Sequence, residues 1–275
     1  MAEGLGNHRP LAPRLRVPRI GPVHWMGVHT LLRRELRRVW KEWPETILAP
    51  AFSTLLYIAV FTFALGPDLE TEAGRQAFAF ILPGLVVITI TERAVETPAF
   101  SLIFDKLEGS LGDVLMPPLS AAELTGGYAM AGTVAALSTG SVVLAVVALA
   151  FGLVPVDPLA LAFFAAGGAL MMTLVGILIA LQSQKWDHAA AFFVFIVVPT
   201  TMLSGVFAPI EALPGPVAAV MRLNPIFYVI DGFRAGLTGV HSAPVGLSLA
   251  VVTAAIALLS IVCGRLIASG YRIKP

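Results

Sequence analysis

The chain has 275 residues, of which 57% are hydrophobic and 13% charged, against roughly 25% charged in soluble domains. A spanning helix takes about 20 apolar residues, so about six or seven spans fill this length and exclude a soluble catalytic domain beside them. The net charge of +1 conceals an uneven distribution, because nine of the eighteen lysines and arginines precede Pro44.

Residues 1–22 are rich in proline, arginine and glycine without periodicity and read as a disordered cytosolic arm. No apolar core precedes residue 44, so a cleavable signal is not expected. Over 23–44 the pattern changes. Trp25, Val28, Leu32, Leu36, Val39 and Trp43 recur at steps of three or four, one face of a helix. Arg33, Arg34, Arg37, Arg38 and Lys41 fall largely on the other faces, which suits an amphipathic helix lying flat at the inner membrane boundary. Each basic residue near anionic lipid adds about 1 kcal/mol to that attachment.

Residues 45–275 read as an all-α integral membrane domain of six transmembrane helices. The first span is 46–65, closed by Gly66-Pro67-Asp68. The second apolar run is clean from Gln76 only to Thr91, barely long enough to cross, before Glu92, Arg93 and Glu96 intervene. Either the span ends at Thr91, or one long helix covers 77–104 with Glu92 and Glu96 on one face at i and i+4. Charges at membrane depth point into a bundle or a water-filled route, which makes Glu92, Arg93 and Glu96 candidates for a translocation path.

Segment 105–120 is polar and broken by glycine and proline, with Leu107, Leu111, Val114 and Leu115 on one apolar side. Ser120 and Glu123 form a capping-box pattern that opens the third span, 121–152. Its small residues, Gly126, Gly127, Ala131 and Gly132 among them, permit close helix packing. Spans 159–181, 189–207 and 245–264 follow, then a basic tail with Arg265, Arg272 and Lys274. The single cysteine, Cys263, lies in an apolar run and reads as ordinary packing.

Between the fifth and sixth spans, 209–239 is broken by Pro209, Pro214, Pro216 and Pro225 and carries Glu211, Arg222, Asp231 and Arg234. An unpaired amide in hydrocarbon costs several kcal/mol. Such a segment must be shielded by protein or line a wet cavity, which describes a re-entrant helical hairpin. Asn224 is expected to cap its second short helix with Pro225 in the first turn. Asp231 and Arg234, three residues apart, can pair.

Orientation follows from the basic residues. With the N-terminus inside, fourteen lie on the inner side and three, Arg75, Arg222 and Arg234, on the outer side, leaving Arg93 apart. Both termini are therefore expected in the cytosol. The chain contains no G-x-x-x-x-G-K-[ST] loop, no H-E-x-x-H pattern, no Cys/His cluster and no G-x-S-x-G elbow. No catalytic or metal-binding residue is assigned, and no nucleic-acid partner is expected. No internal repeat is visible, which argues against an inverted-repeat secondary transporter.

Three segments together resemble the permease subunits of ABC-2 type exporters. Leu107-Glu-Gly-Ser-Leu-Gly-Asp-Val-Leu-Met-Pro-Pro-Leu-Ser120 is similar to that family's cytosolic segment between spans two and three. Leu203-Ser-Gly-Val-Phe-Ala-Pro-Ile-Glu-Ala-Leu-Pro214 resembles its LSG-x-[FY]-x-P pattern, and Leu223-Asn-Pro-Ile-Phe-Tyr-Val-Ile-Asp-Gly-Phe-Arg234 its LNP…[DE]-x-[FIL]-R pattern. The resemblance runs over nearly the whole chain from Trp25. It implies a permease homodimer among the lipids of a bacterial cytoplasmic (inner) membrane, with two ATPase subunits docked below. ATP and Mg would then sit on those partners and no cofactor on this chain. It further implies that 23–44 is a connecting helix and that 105–120 couples to the ATPase through Leu107, Glu108, Gly109, Leu111 and Pro117. Gly205, Pro209, Pro214, Asn224, Pro225, Asp231 and Arg234 would shape an exit gate at the outer face.

The apolar walls of spans two and five, with Phe80, Leu82, Phe192, Phe193 and Phe195, suit an amphiphile such as a lipid, a lipid-linked saccharide or a polysaccharide. Drug efflux is the alternative substrate reading. A membrane-embedded enzyme is the rival from another class, and it needs convergent acid/base or metal residues, of which only Glu92, Arg93 and Glu96 cluster. A non-transporting assembly subunit is the third possibility.

Overall fold

The computed structural model describes residues 24–110, 112 and 119–270. The arm expected at 1–22, Leu111, Val114, Leu115 and Pro117 of the expected coupling segment, and Arg272 and Lys274 of the tail lie outside the described residues. The described residues form helices and their connections, with no strand among them.

Helix α1 (Trp25–Lys41) begins at His24, whose ring accepts from the Gly27 amide. The row it buries is Gly27, Leu31, Glu35 and Val39, at steps of four. That row differs from the apolar face expected from the sequence: Trp25 and Trp43 are exposed, and Val28, Leu32 and Leu36 are only partly buried. The physical reason is an inversion of the rule for soluble helices. At a membrane boundary the apolar residues can face lipid, and the inward row is free to hold small residues and a paired charge. Gly127 provides the space for Leu31, since a Cβ there would come within 2.6 Å of the leucine side chain.

A π-helical turn (Pro44–Leu48) leads into α2 (Ala49–Leu65). Helix α3 (Glu72–Leu107) is one continuous helix of 36 residues that carries Glu92, Arg93 and Glu96 within it, so the second apolar run does not end at Thr91. It contains Pro83 and Pro98. A proline inside a helix leaves one carbonyl without its amide and bends the axis. The Pro98 ring is seated against two glycines: a Cβ on Gly176 would lie 2.9 Å from it, and one on Gly132 3.3 Å.

Ser120 and Glu123 form the expected capping box at the start of α4 (Ala121–Phe151), and Glu123 also accepts from the His24 amide. Asp157 caps α5 (Pro158–Gln182) through the Leu159 and Ala160 amides. Helix α3 packs most extensively on α5 and α4, and these three form the centre. Helix α1 lies on α4, and α2 touches α3.

Among the described residues five helices are long and apolar enough to cross a membrane: Pro44–Ala64, Glu72–Leu107, Ala121–Phe151, Pro158–Gln182 and Val245–Ala268. The span expected at 189–207 is instead a shorter apolar helix of 17 residues, Trp186–Met202. It comprises α6 (Trp186–Phe192), a π-helical turn (Phe193–Val197) and α7 (Val198–Met202). Gly205, at φ +81°, turns the chain away soon after it. A 3-10 turn (Ile210–Ala212), α8 (Gly215–Leu223) and α9 (Pro225–Thr238) occupy the broken region, and α10 (Val245–Ala268) closes the chain. Cys263 is buried in α10, its thiol donating to the Leu174 carbonyl at 3.4 Å.

Candidate functional site

At the C-terminal end of α3, the expected cytosolic side, two carboxylates are buried together. Asp105 and Glu35 are each 2% exposed. Arg34 donates to Asp105 Oδ2 at 2.6 Å and to Glu35 Oε1 at 2.6 and 3.0 Å. Arg38 donates to Ser101 Oγ at 2.7 Å, and that hydroxyl donates in turn to Glu35 Oε2 at 2.6 Å. Arg38 also reaches Asp105 Oδ1 at 3.4 Å, and the Tyr128 hydroxyl donates to Asp105 Oδ2 at the same distance.

Two acids therefore meet two bases, and the buried charges cancel. Burial opposes the Arg34 charge, but Tyr128, Glu35 and Asp105 outweigh it and raise its pKa above the ordinary arginine value. Only a charge-balanced cluster of this kind is stable away from water.

The sequence reading missed this cluster and had sent Arg34 and Arg38 to the lipid. Its signals are a glutamate embedded among four arginines on one helix, and an aspartate placed directly after the apolar run that ends at Phe104. Lys106 was also missed. Its ammonium donates to the Ala180 carbonyl at 2.6 Å and to Ser183 at 3.3 Å, groups at the C-terminal end of α5 that need donors.

Of the expected coupling residues, Leu107 is 57% exposed at the end of α3. Glu108 caps that helix, and Gly109 follows at φ +73°.

In the middle of α3, Arg93 and Glu96 pair at 3.3 Å, and Arg93 also donates to the Glu45 carbonyl at 3.4 Å. The pair lines two neighbouring cavities. One, of about 270 Å³, is bounded further by Arg38, Thr46 and Trp186, the last stacked on Phe100 with centroids 4.6 Å apart. The other, of about 230 Å³, is bounded by Ser53, Thr54, Tyr57 and Glu92. The Arg93 Nε is buried without an acceptor among the described residues. Leu82 is in the core, Phe80 lies beneath Arg234 and Phe195 is 77% exposed on another face.

On the expected outer side the two family-like motifs bond to each other. Asn224 Oδ1 accepts from the Ile226 amide at 3.0 Å and so caps α9, with Pro225 in its first turn. Its Nδ2 donates to Ser204 Oγ at 2.6 Å and to the Thr200 carbonyl at 3.1 Å. Arg234 Nη2 donates to the Gly205 carbonyl at 2.7 Å, its Nε to the Phe80 carbonyl of α3 at 3.1 Å, and its guanidinium sits 3.6 Å above the Phe80 ring. Asp231 accepts from the Ser242 and Ala243 amides at 2.8 and 2.9 Å.

Asp231 and Arg234 do face each other, but at 3.7 Å, so their closest bonds go to the main chain. Both are 1% exposed. Gly205, Asn224, Asp231 and Arg234 thus belong to one assembly, while Pro209, Pro214 and Pro225 set the breaks that make it possible. Among the described residues no three histidine, cysteine, aspartate or glutamate side chains converge to hold a metal ion.

Residues 26–238 match the family model described as ABC-2 type transporter. The chain is 26% identical over 255 residues to Inner membrane transport permease YadH of Escherichia coli (strain K12), a match that covers 92% of this chain and 98% of that protein. It is 27% identical over 220 residues to Nodulation protein J of Rhizobium meliloti (strain 1021), covering 77% and 82% respectively. Probable multidrug ABC transporter permease YbhR of E. coli (strain K12) is 26% identical over 155 residues, 55% of this chain and 42% of that protein.

Proposed function

The chain belongs to the ABC-2 type transporter family, and from that premise we propose that it lines the translocation path of an exporter for an amphiphilic substrate, driven by a separate ATPase. It is a transport permease with apolar helices suited to a membrane. The substrate is a lipid, a lipid-linked saccharide or a polysaccharide. Two ATPase subunits carry the ATP and Mg, two copies of this chain form the path, and both termini lie in the cytosol. Placement in the inner membrane is supported by the relative named as an inner membrane permease.

The observation that carries this reading is the Arg93–Glu96 pair, with Glu92 beside it, standing between two cavities within a long and largely apolar helix. Polar groups persist there when they serve a passage. Multidrug export is the second reading, favoured by the stacked Phe100 and Trp186 beside the larger cavity and by the relative named as a probable multidrug permease.

The test begins with affinity purification of the tagged chain from its own membranes. An ATPase is expected to co-purify, and proteoliposomes of the complex are expected to move a fluorescent lipid upon addition of Mg-ATP more readily than a cationic dye. Preference for the dye transfers the assignment to the second reading. Absence of any associated ATPase overturns both.

A further inference from the structure

We propose that α3 is the strut that carries the stroke from the cytosolic ionic cluster to the outer helix pair, with Arg234 as the positioning residue at its far end. The proposal rests on the ATPase-driven reading above and adds the route within this chain.

Asp105, in the last turn of α3, is bound to Arg34 and Arg38 of α1. The next residue, Lys106, is bound to the end of α5. Twenty-five residues earlier in the same helix, the Phe80 carbonyl accepts from Arg234 of α9. At about 1.5 Å per residue these attachments lie about 37 Å apart, more than the roughly 30 Å hydrocarbon thickness. One helix therefore holds the base of the expected coupling segment at one end and the broken outer region at the other.

A second contact joins α3 to that region independently. Gly84 meets Val206, and a Cβ there would lie 3.1 Å from the valine backbone. Val206 follows Gly205, whose carbonyl takes the other Arg234 bond. Arg234 thus clamps α3, the turn after α7 and α9 together. The prolines do not make α3 compliant, because Pro98 is packed against Gly132 and Gly176 of the flanking helices, and Gly84, next to Pro83, is packed against Val206. A displacement of the Asp105 end consequently arrives at Phe80, and it passes Arg93 and Glu96 on the way. Packed elements with discrete arrangements are what conduct such coupling.

The experiment uses the complete complex with its ATPase in lipid nanodiscs, in a Cys263→Ala background, with nitroxides attached pairwise. The pair Ala218→Cys and Leu247→Cys measures α8 against the outer start of α10. The pair Arg75→Cys and Ala218→Cys measures the outer end of α3 against α8. Distances are taken without nucleotide and after trapping with Mg-ATP and vanadate. The α8–α10 distance is expected to change between the two states and the α3–α8 distance to stay fixed, since Arg234 ties α3 to α9 and α8 joins α9 directly at Asn224.

In the Arg234→Lys variant, whose ammonium lacks the planar fork that Arg234 lays over Phe80 and between the two carbonyls, the α8–α10 change is expected to fall at least twofold while the ATPase still co-purifies. Combining Arg234→Lys with Asp105→Asn is expected to lose no more than the more severe single variant, because both interrupt one route. A nucleotide-dependent α3–α8 distance in the chain with native Arg234, an unchanged α8–α10 response in Arg234→Lys, or an α8–α10 pair that never responds would each overturn the strut. The native-sequence pair decides the matter even if Arg234→Lys does not fold. Failure of the underlying functional reading shows separately, as absence of the ATPase from the purified complex.

Discussion

At the C-terminal end of α3, Asp105 and Glu35 are neutralised by Arg34 and Arg38, whose side chains remain 38% and 33% exposed. Toward its N-terminal end, on the expected outer side, Arg234 and Asp231 are both 1% exposed, and their closest bonds run to main-chain carbonyls and amides. The first arrangement is built from long arginine side chains at the edge of water, which can turn to solvent when a carboxylate is removed. The second is built from groups whose positions the backbone fixes, and removing either partner strands the other. The contrast separates an end that can be re-paired from an end that holds a shape.

The largest effect is expected from Arg234→Leu, which leaves the Phe80 and Gly205 carbonyls and Asp231 without their cation. A loss of about 3–5 kcal/mol is expected, read as a lower melting temperature in detergent. A loss below about 1 kcal/mol would erase the distinction between the two ends.

Gly236→Ala sharpens the comparison by testing the outer backbone without touching charge. Its Cβ would come within 2.4 Å of the Leu161 amide nitrogen, beside the bond from the Asp157 amide to the Gly236 carbonyl. Overpacking of this kind costs about 1–3 kcal/mol, measured by the same melt.

Asp105→Asn is expected to cost less than either. The arginines it releases can turn to water, so about 1 kcal/mol is the expected loss. The difference from the native chain is expected to shrink at high ionic strength, whereas the Arg234→Leu difference is expected to stay constant. Melting curves at low and high salt check both.

The smallest effect belongs to Arg33→Gln with Arg37→Gln, at the two exposed arginines of α1. They are expected to leave the melt within about 0.5 kcal/mol while removing about 1 kcal/mol each of attraction to anionic lipid. Weaker quenching of the tryptophans by brominated anionic lipid is the readout.

Much of the architecture was legible because apolar runs between charges mark helices regardless of partner. The Ser120–Glu123 box and the Asn224 cap are local devices whose partners lie within three residues, and both were read correctly. The ionic cluster was not legible as a unit, since Glu35 and Asp105 are 70 positions apart: each is conspicuous where it stands, but nothing along the chain pairs them. The face of α1 was misread because an apolar stripe tells which side avoids water, not whether lipid or protein covers it. At the outer end the sequence showed that Asp231 and Arg234 could pair, yet not that both would bind main chain more closely than each other. The bond from Arg234 to Gly205 joins two motifs that read separately along the chain. Only the fold reveals that they form one unit.

Gly109 has a consequence of its own. It leaves α3 at φ +73°, and among the described residues an added Cβ would touch no other group within 4 Å. Bulk is therefore irrelevant there and chirality is everything. An L-residue would pay about 1–2 kcal/mol for that backbone angle, while its mirror image would adopt the angle without strain. L-alanine and D-alanine, equal in size, would send the chain away from the end of α3 with opposite ease.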